Sequence, residues 1–299
     1  MRVKNIAPTE KTNAFTAKYS FSPHRIIGFI VLWVFLLSVV IFTTFPIVLA
    51  FLNSFKTNKE INLGETLLPK VWHLSNYIEA WQQANFSIFT WNSVYISIAS
   101  TIGTLIVASL AAYAVDRIAF PGKKWFVFIQ AATMFISIGA VVLRPQYDIM
   151  VSLGLNKSLW GVIIILIAGH ATTFFLLLGF FRGVPKELDE AAMIDGCGYF
   201  KIYWRIILPL ITPGLGVAGL FMFRQAWNEY ILPLVFTMTT PELQPLTVGL
   251  ANLRYGSSGD AAQMHLMLAG ACISILPILI VYVFANKSFM QMSAGSLKG

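Results

Sequence analysis

The chain has 299 residues, 57% of them hydrophobic and 11% charged, with a mean hydropathy of +0.72. A soluble domain carries about 25% charged residues, so the composition argues against a water-soluble globule and for one polytopic membrane domain. The formal net charge is +8, but the cations sit in short loops between apolar runs, which reads as membrane topology rather than a nucleic-acid surface.

A helix that crosses a hydrocarbon core about 30 Å thick needs roughly 20 apolar residues. Six runs qualify: Ile26–Leu52, Trp91–Val115, Trp125–Leu143, Leu159–Phe181, Ile206–Phe236 and Met264–Ala285. The expected fold is therefore all-α, with six transmembrane helices in a domain spanning residues 26–285. Residues 1–25 and 286–299 flank it as cytoplasmic segments. The first run far exceeds the h-region of a signal peptide, roughly 7–15 residues, so it reads as a retained helix.

Between the first two runs lies the longest loop, Asn53–Thr90. Its stretch VWHLSNYIEAW carries Trp72, Tyr77 and Trp81, suited to a membrane interface. The next loop contains FPGKKW, where Arg117 and Lys124 stand at positions that a phosphate-binding loop gives to Gly and Ser/Thr. Lys123 and Lys124 read instead as a charge cluster that fixes orientation. In the fourth run, His170 precedes Thr172 and Thr173. An ionisable residue there either lines a pathway or hydrogen-bonds between helices. It has no neighbouring ligand at a metal-binding spacing. Cys197 and Cys272 imply no disulfide framework.

The stretch ELDEAAMIDGCGYFKIYWRIILP is polar yet lies between two apolar runs. Pro185 suits a first helical turn. Glu187, Asp189 and Glu190 suit the positive end of the dipole, and Gly196 is a natural stop. The expectation is a short helix over about 185–196, with Leu188, Ala191, Ala192 and Asp195 on one face. A helix so short needs something to pack on, either a cytoplasmic partner or lipid.

Pro209, Pro213 and Pro233 interrupt the fifth run, as a hinge or as a packing bend. Within it, RQAWNEYILP places Arg224 and Asn228 on one face, Gln225 and Glu229 on the next. A charge facing lipid costs roughly 2.5–3.5 kcal/mol on insertion scales, so these residues face protein or water. They line a path, with Trp227 and Tyr230 able to stack on a sugar ring, or they form a buried polar lock. The loop ANLRYGSSGD, rich in Gly and Ser, reads as mobile.

Placing both termini on one side puts fourteen Lys and Arg there, against six on the other, with Arg224 inside a helix. The bias makes the termini and the polar stretch cytoplasmic.

The pattern E-A-A, three residues, G, nine residues, I-x-L-P is matched by Glu190, Ala191, Ala192, Gly196, Ile206, Leu208 and Pro209. It resembles the cytoplasmic motif of permease subunits in ABC importers. The segments NSFKTNKEI, LGLNKSLWGVII, GFFRGVPKELDEAAMIDG, WNEYILPLVF, LTVGL and the ending SAGSLKG extend the likeness along nearly the whole chain. They are similar to carbohydrate permeases of the MalG type, which have the MetI/MalFG-like fold.

The resemblance implies a coupling helix seated in an ATP-binding subunit. It also implies two such subunits carrying ATP and Mg, a second, MalF-like permease partner and an extracytoplasmic sugar-binding protein. This chain would hold no cofactor and no catalytic residue. Gly295, Ser296, Leu297, Lys298 and Gly299 would reach the ATPase interface. Asn252, Leu253, Arg254, Tyr255 and Gly256 lie where the family's loop enters the binding protein.

The expected function is ATP-driven uptake of a carbohydrate, an oligosaccharide above other classes. The scarcity of clustered external Lys and Arg argues against a strongly anionic substrate. One rival is a proton-coupled secondary transporter using Glu229 and His170, which calls for inverted repeats. The other is an intramembrane enzyme, for which no nucleophile motif is present.

Overall fold

The computed structural model describes residues 23–83, 85–135, 139–255 and 263–296, and every regular element among them is helical. The chain divides into two units, Met1–Leu49 and Ala50–Gly299. The described part of the first is carried by α1 (Pro23–Asn53), which is apolar around its whole circumference and long enough to span a bilayer.

The second unit begins with two short helices, α2 (Asn58–Leu63) and α3 (Ser75–Gln83), in the loop that follows α1. That loop is closely tied. The Glu60 carboxylate accepts the Lys70 N–H at 2.9 Å and the Thr66 hydroxyl at 3.0 Å. The Lys70 N–H, then Thr66 and the nearby lysines, hold the Glu60 carboxyl below its ordinary range against a smaller opposing effect of desolvation. Buried Lys56 donates to the Thr66 carbonyl, and Asn76 donates to the carbonyls of Ser54 and Lys56.

Helix α4 (Phe86–Arg117) is the axis of this unit. It is followed by α5 (Lys123–Phe135), α6 (Leu143–Ser152), α7 (Leu159–Ala168) and α8 (Ala171–Arg182). Next come α9 (Glu187–Ile194), α10 (Tyr199–Ile202), a π-helical turn over Tyr203–Ile207, and α11 (Leu208–Leu210). The chain ends with α12 (Thr212–Trp227), α13 (Ile231–Thr237), α14 (Leu246–Tyr255) and α15 (Met264–Ser296). Helix α4 packs against α7, α8 and α12, and α12 packs in turn on α8 and α15.

The polarity of α4 is reversed relative to a soluble helix. Ser93, Ser97, Ser100, Thr104 and Ala108 recur at three–four spacing on its buried side, while Ile98, Ile102 and Ile106 are exposed. In lipid, apolar side chains gain nothing by turning inward. Small residues do, because they let helices approach. The same logic brings α12 against α8: a Cβ on Gly214 would lie 2.5 Å from the Phe180 ring.

Three expected runs are single helices long and apolar enough to cross: Ile27–Asn53, Phe86–Arg117 and Met264–Ala285. Two others are broken. Leu159–Ala168 and Ala171–Arg182 meet at 48°, and Tyr199–Leu210 and Thr212–Trp227 at 80°. The run expected over Trp125–Leu143 contains α5, described as far as Phe135, and a 3-10 turn at Gly139–Val142, with residues 136–138 outside the described residues. Beyond residue 285, α15 runs without interruption to Ser296, so Gly295 and Ser296 are in its last turn. Leu297, Lys298 and Gly299 lie outside the described residues.

Candidate functional site

Two polar features stand out, the short helix α9 and a cavity between α8 and α12. Helix α9 starts two residues later than expected, with Pro185 just before it and Lys186 at the N-cap. Glu187, Asp189 and Glu190 occupy its first turn, where the dipole favours them. It ends at Ile194, with Asp195 as C-cap. Gly196 follows at φ +77°, a conformation that a side chain disfavours. The Cys197 N–H reaches the Ala192 carbonyl at 2.9 Å and the Gly196 N–H reaches that of Met193 at 3.0 Å, a Schellman closure.

The inward face of α9 is Asp189 and Ala192, both buried. The spacing-based face of Leu188, Ala191, Ala192 and Asp195 is therefore split. Leu188, Ala191 and Asp195 are exposed with Glu190, whereas Ala192 packs into the core beside Phe181 and Ile202. Ile206 and Leu208 are half-buried against that same core, and Pro209 is exposed.

Asp189 is held by a cluster that sequence reasoning missed. Arg117, in the last turn of α4, places Nε 3.2 Å from Asp189 Oδ2 and 3.4 Å from Asp116 Oδ2, with all three side chains buried. Its aligned hydrogen bond goes from Nη2 to the Val184 carbonyl at 2.8 Å. The Tyr113 hydroxyl donates to Asp189 Oδ1 at 3.3 Å. The adjacent opposite charges Asp116 and Arg117 at the end of an apolar run were the available signal.

Beyond this anchor, α9, α10 and the π-helical turn leave large apolar side chains in the open. Ile194 is 87% exposed, Phe200 70% and Trp204 59%.

The cavity has a volume of about 730 Å³ and is lined by Thr172, Thr173 and Leu176 from α8, by Ala218, Phe221, Arg224 and Gln225 from α12, and by Asn228 at the α12 C-cap. Asn228 closes the end of α12, its amide donating to the Arg224 carbonyl at 2.7 Å. Glu229 turns elsewhere, its Oε1 accepting the Leu232 N–H at the start of α13.

Trp227 is a correction to the expected sugar-stacking role. It is buried, stacked on Phe223 at 5.7 Å, and donates from Nε1 to the Ser274 carbonyl. Tyr230 is half-buried at the start of α13. His170 occupies the bend between α7 and α8. Its Nδ1 is 3.2 Å from the Ile167 carbonyl and its Nε2 is 3.4 Å from Gln130 Nε2. It joins α5 to the bend and does not line the cavity.

The loop expected around Asn252–Gly256 is also revised. Asn252, Leu253, Arg254 and Tyr255 belong to α14, Asn252 donates to Gln244 Oε1 at 2.9 Å, and Leu253 is buried. Gly256 lies outside the described residues.

Long apolar helices, two further spans built as bent pairs, and a cavity lined by Arg224, amides and hydroxyls define a helical membrane permease. The chain belongs to the family described as the binding-protein-dependent transport system inner membrane component, whose model matches residues 78–288. This is a membrane transport component, not an enzyme.

A probable ABC transporter permease of Bacillus subtilis strain 168, YurM, is 32% identical, covering 91% of this chain and 90% of that protein. The arabinooligosaccharides transport system permease AraQ of Halalkalibacterium halodurans is 31% identical, covering 85% of this chain and 91% of its own length. Among solved structures, a chain of a bacterial ABC transporter involved in import of the acidic polysaccharide alginate matches with a TM-score of 0.77 at 25% identity. The match covers 89% of this chain and 98% of that one.

Proposed function

We propose that this chain is the membrane-spanning subunit of an ATP-driven importer, taking up an oligosaccharide handed over by an extracytoplasmic binding protein. The observation that carries the reading is α9. It is fixed on its inner side by Asp189 and Ala192, closed by Gly196, and bordered by outward-facing Ile194 and Phe200. A short helix held rigidly to the bundle, with Leu188 and Ile194 exposed beside Glu190 and Asp195 on its free side, is a docking element for another protein.

The occupant is an ATP-binding subunit, so ATP and Mg are held and hydrolysed outside this chain. A homologous second permease subunit completes the path. The relatives' transport of arabinooligosaccharides and diacetylchitobiose supports the substrate class. Proton coupling has no comparable support. His170 and Glu229, its two candidate carriers, are engaged at separate places in the fold.

The test is Ile194→Asp in the co-expressed complex. The expected result is at least tenfold less ATPase subunit co-purifying with the permease, while the permease stays in the membrane at normal level. Normal co-purification and normal sugar-stimulated ATPase activity would remove α9 as the docking element.

A further inference from the structure

The lining of the cavity has a one-sided charge. Arg224 contributes a full positive charge, Gln225 and Asn228 contribute amides, and Thr172 and Thr173 contribute hydroxyls, with no carboxylate among the lining residues. Among the described residues Arg224 makes no salt bridge. The acid nearest to it in sequence, Glu229, is committed to the Leu232 N–H.

Depth makes this unusual. Thr173 is nine residues from the end of α8 and Arg224 twelve residues from the start of α12. At about 1.5 Å per residue these lie roughly 14 and 18 Å along helices that belong to bent pairs apolar enough to cross a bilayer. A guanidinium there, facing a cavity rather than a carboxylate, is held where a counter-charge has to arrive from outside the chain.

We infer that the cavity recognises a sugar unit bearing a single anionic group, with the Arg224 guanidinium pairing to its carboxylate or equivalent oxyanion. Arg offers a planar fork that matches a carboxylate with two parallel N–H donors. Neutral sugar hydroxyls are served by amides and hydroxyls alone, which Gln225, Asn228 and Thr172 already supply. One cation matches one anionic group, in keeping with external loops that show no basic cluster suited to a polyanion. The inference rests on the reading of this face as the translocation path.

The experiment uses the assembled complex in lipid nanodiscs, trapped with ATP and vanadate, without the binding protein. Calorimetric titration compares cellobiouronic acid with cellobiose, which lacks the carboxylate. The acid is expected to bind at least tenfold more tightly. That preference disappears in Arg224→Gln and stays at threefold or more in Arg224→Lys. Equal affinity for the two sugars overturns the charge selection and leaves the path intact. This is the result if a carboxylate of the partner permease neutralises Arg224. A preference that survives Arg224→Gln assigns it to other residues and also overturns the inference. Failure of both sugars to bind removes the path reading, and the inference with it.

Discussion

Asp189 shows how one side chain can tie two distant parts of the chain. Arg117 is shared between Asp189 and Asp116, all three buried. Losing one member of a buried ionic group costs about 3–5 kcal/mol when it strands a charge. The cost is therefore unequal. Arg117→Ala strands two carboxylates and is expected to lower the melting temperature of the purified complex most. Asp189→Ala leaves Arg117 with Asp116 and lowers it less, while also loosening α9. Fluorescence-monitored melting of both variants measures the order, and the reverse order would contradict a shared cation. Sequence reading placed Asp189 correctly in the first turn of a short helix. The Asp116–Arg117 pair hinted at a buried partner but could not place it, because a charge next to a loop looks the same whether it points to water or into the bundle.

At the level of elements, the apolar runs were visible as helices because run length reports hydropathy directly. Direction is not encoded that way. The bend at Gly169 and His170 falls inside an unbroken apolar run, and the break at Ile211 is marked only by the flanking Pro209 and Pro213. Packing contacts were equally hidden. Gly214 faces the Phe180 ring with no room for a methyl group. Gly214→Ala is expected to destabilise by about 1–3 kcal/mol through overpacking. Adding Phe180→Ala is expected to give a coupling of opposite sign, so the double variant melts above the sum of the two single effects. Strict additivity would mean that the helices re-space freely at this crossing.

For the molecule as a whole, the distribution of Lys and Arg predicts a topology with the α1–α4 loop outside and the loop before α5 and helix α9 inside. With Cys197 and Cys272 replaced by Ser, a membrane-impermeant maleimide is expected to label Lys70→Cys in intact cells. Labelling of Lys124→Cys is expected only after permeabilisation. The opposite pattern would invert the orientation and with it the side from which α9 is reached. The cavity could not be assembled from sequence, since Thr172 and Arg224 belong to helices whose adjacency depends on the folded path between them.

The 80° junction between Tyr199–Leu210 and Thr212–Trp227 has a mechanical consequence. Its two limbs behave as a crank with unequal arms, about 18 Å and 24 Å long at 1.5 Å per residue. Any swivel at Ile211 sweeps the tip of the longer arm about a third further than that of the shorter. The longer arm's far turn carries Arg224, so a modest nudge on the outer limb is geared up into a larger excursion of the guanidinium.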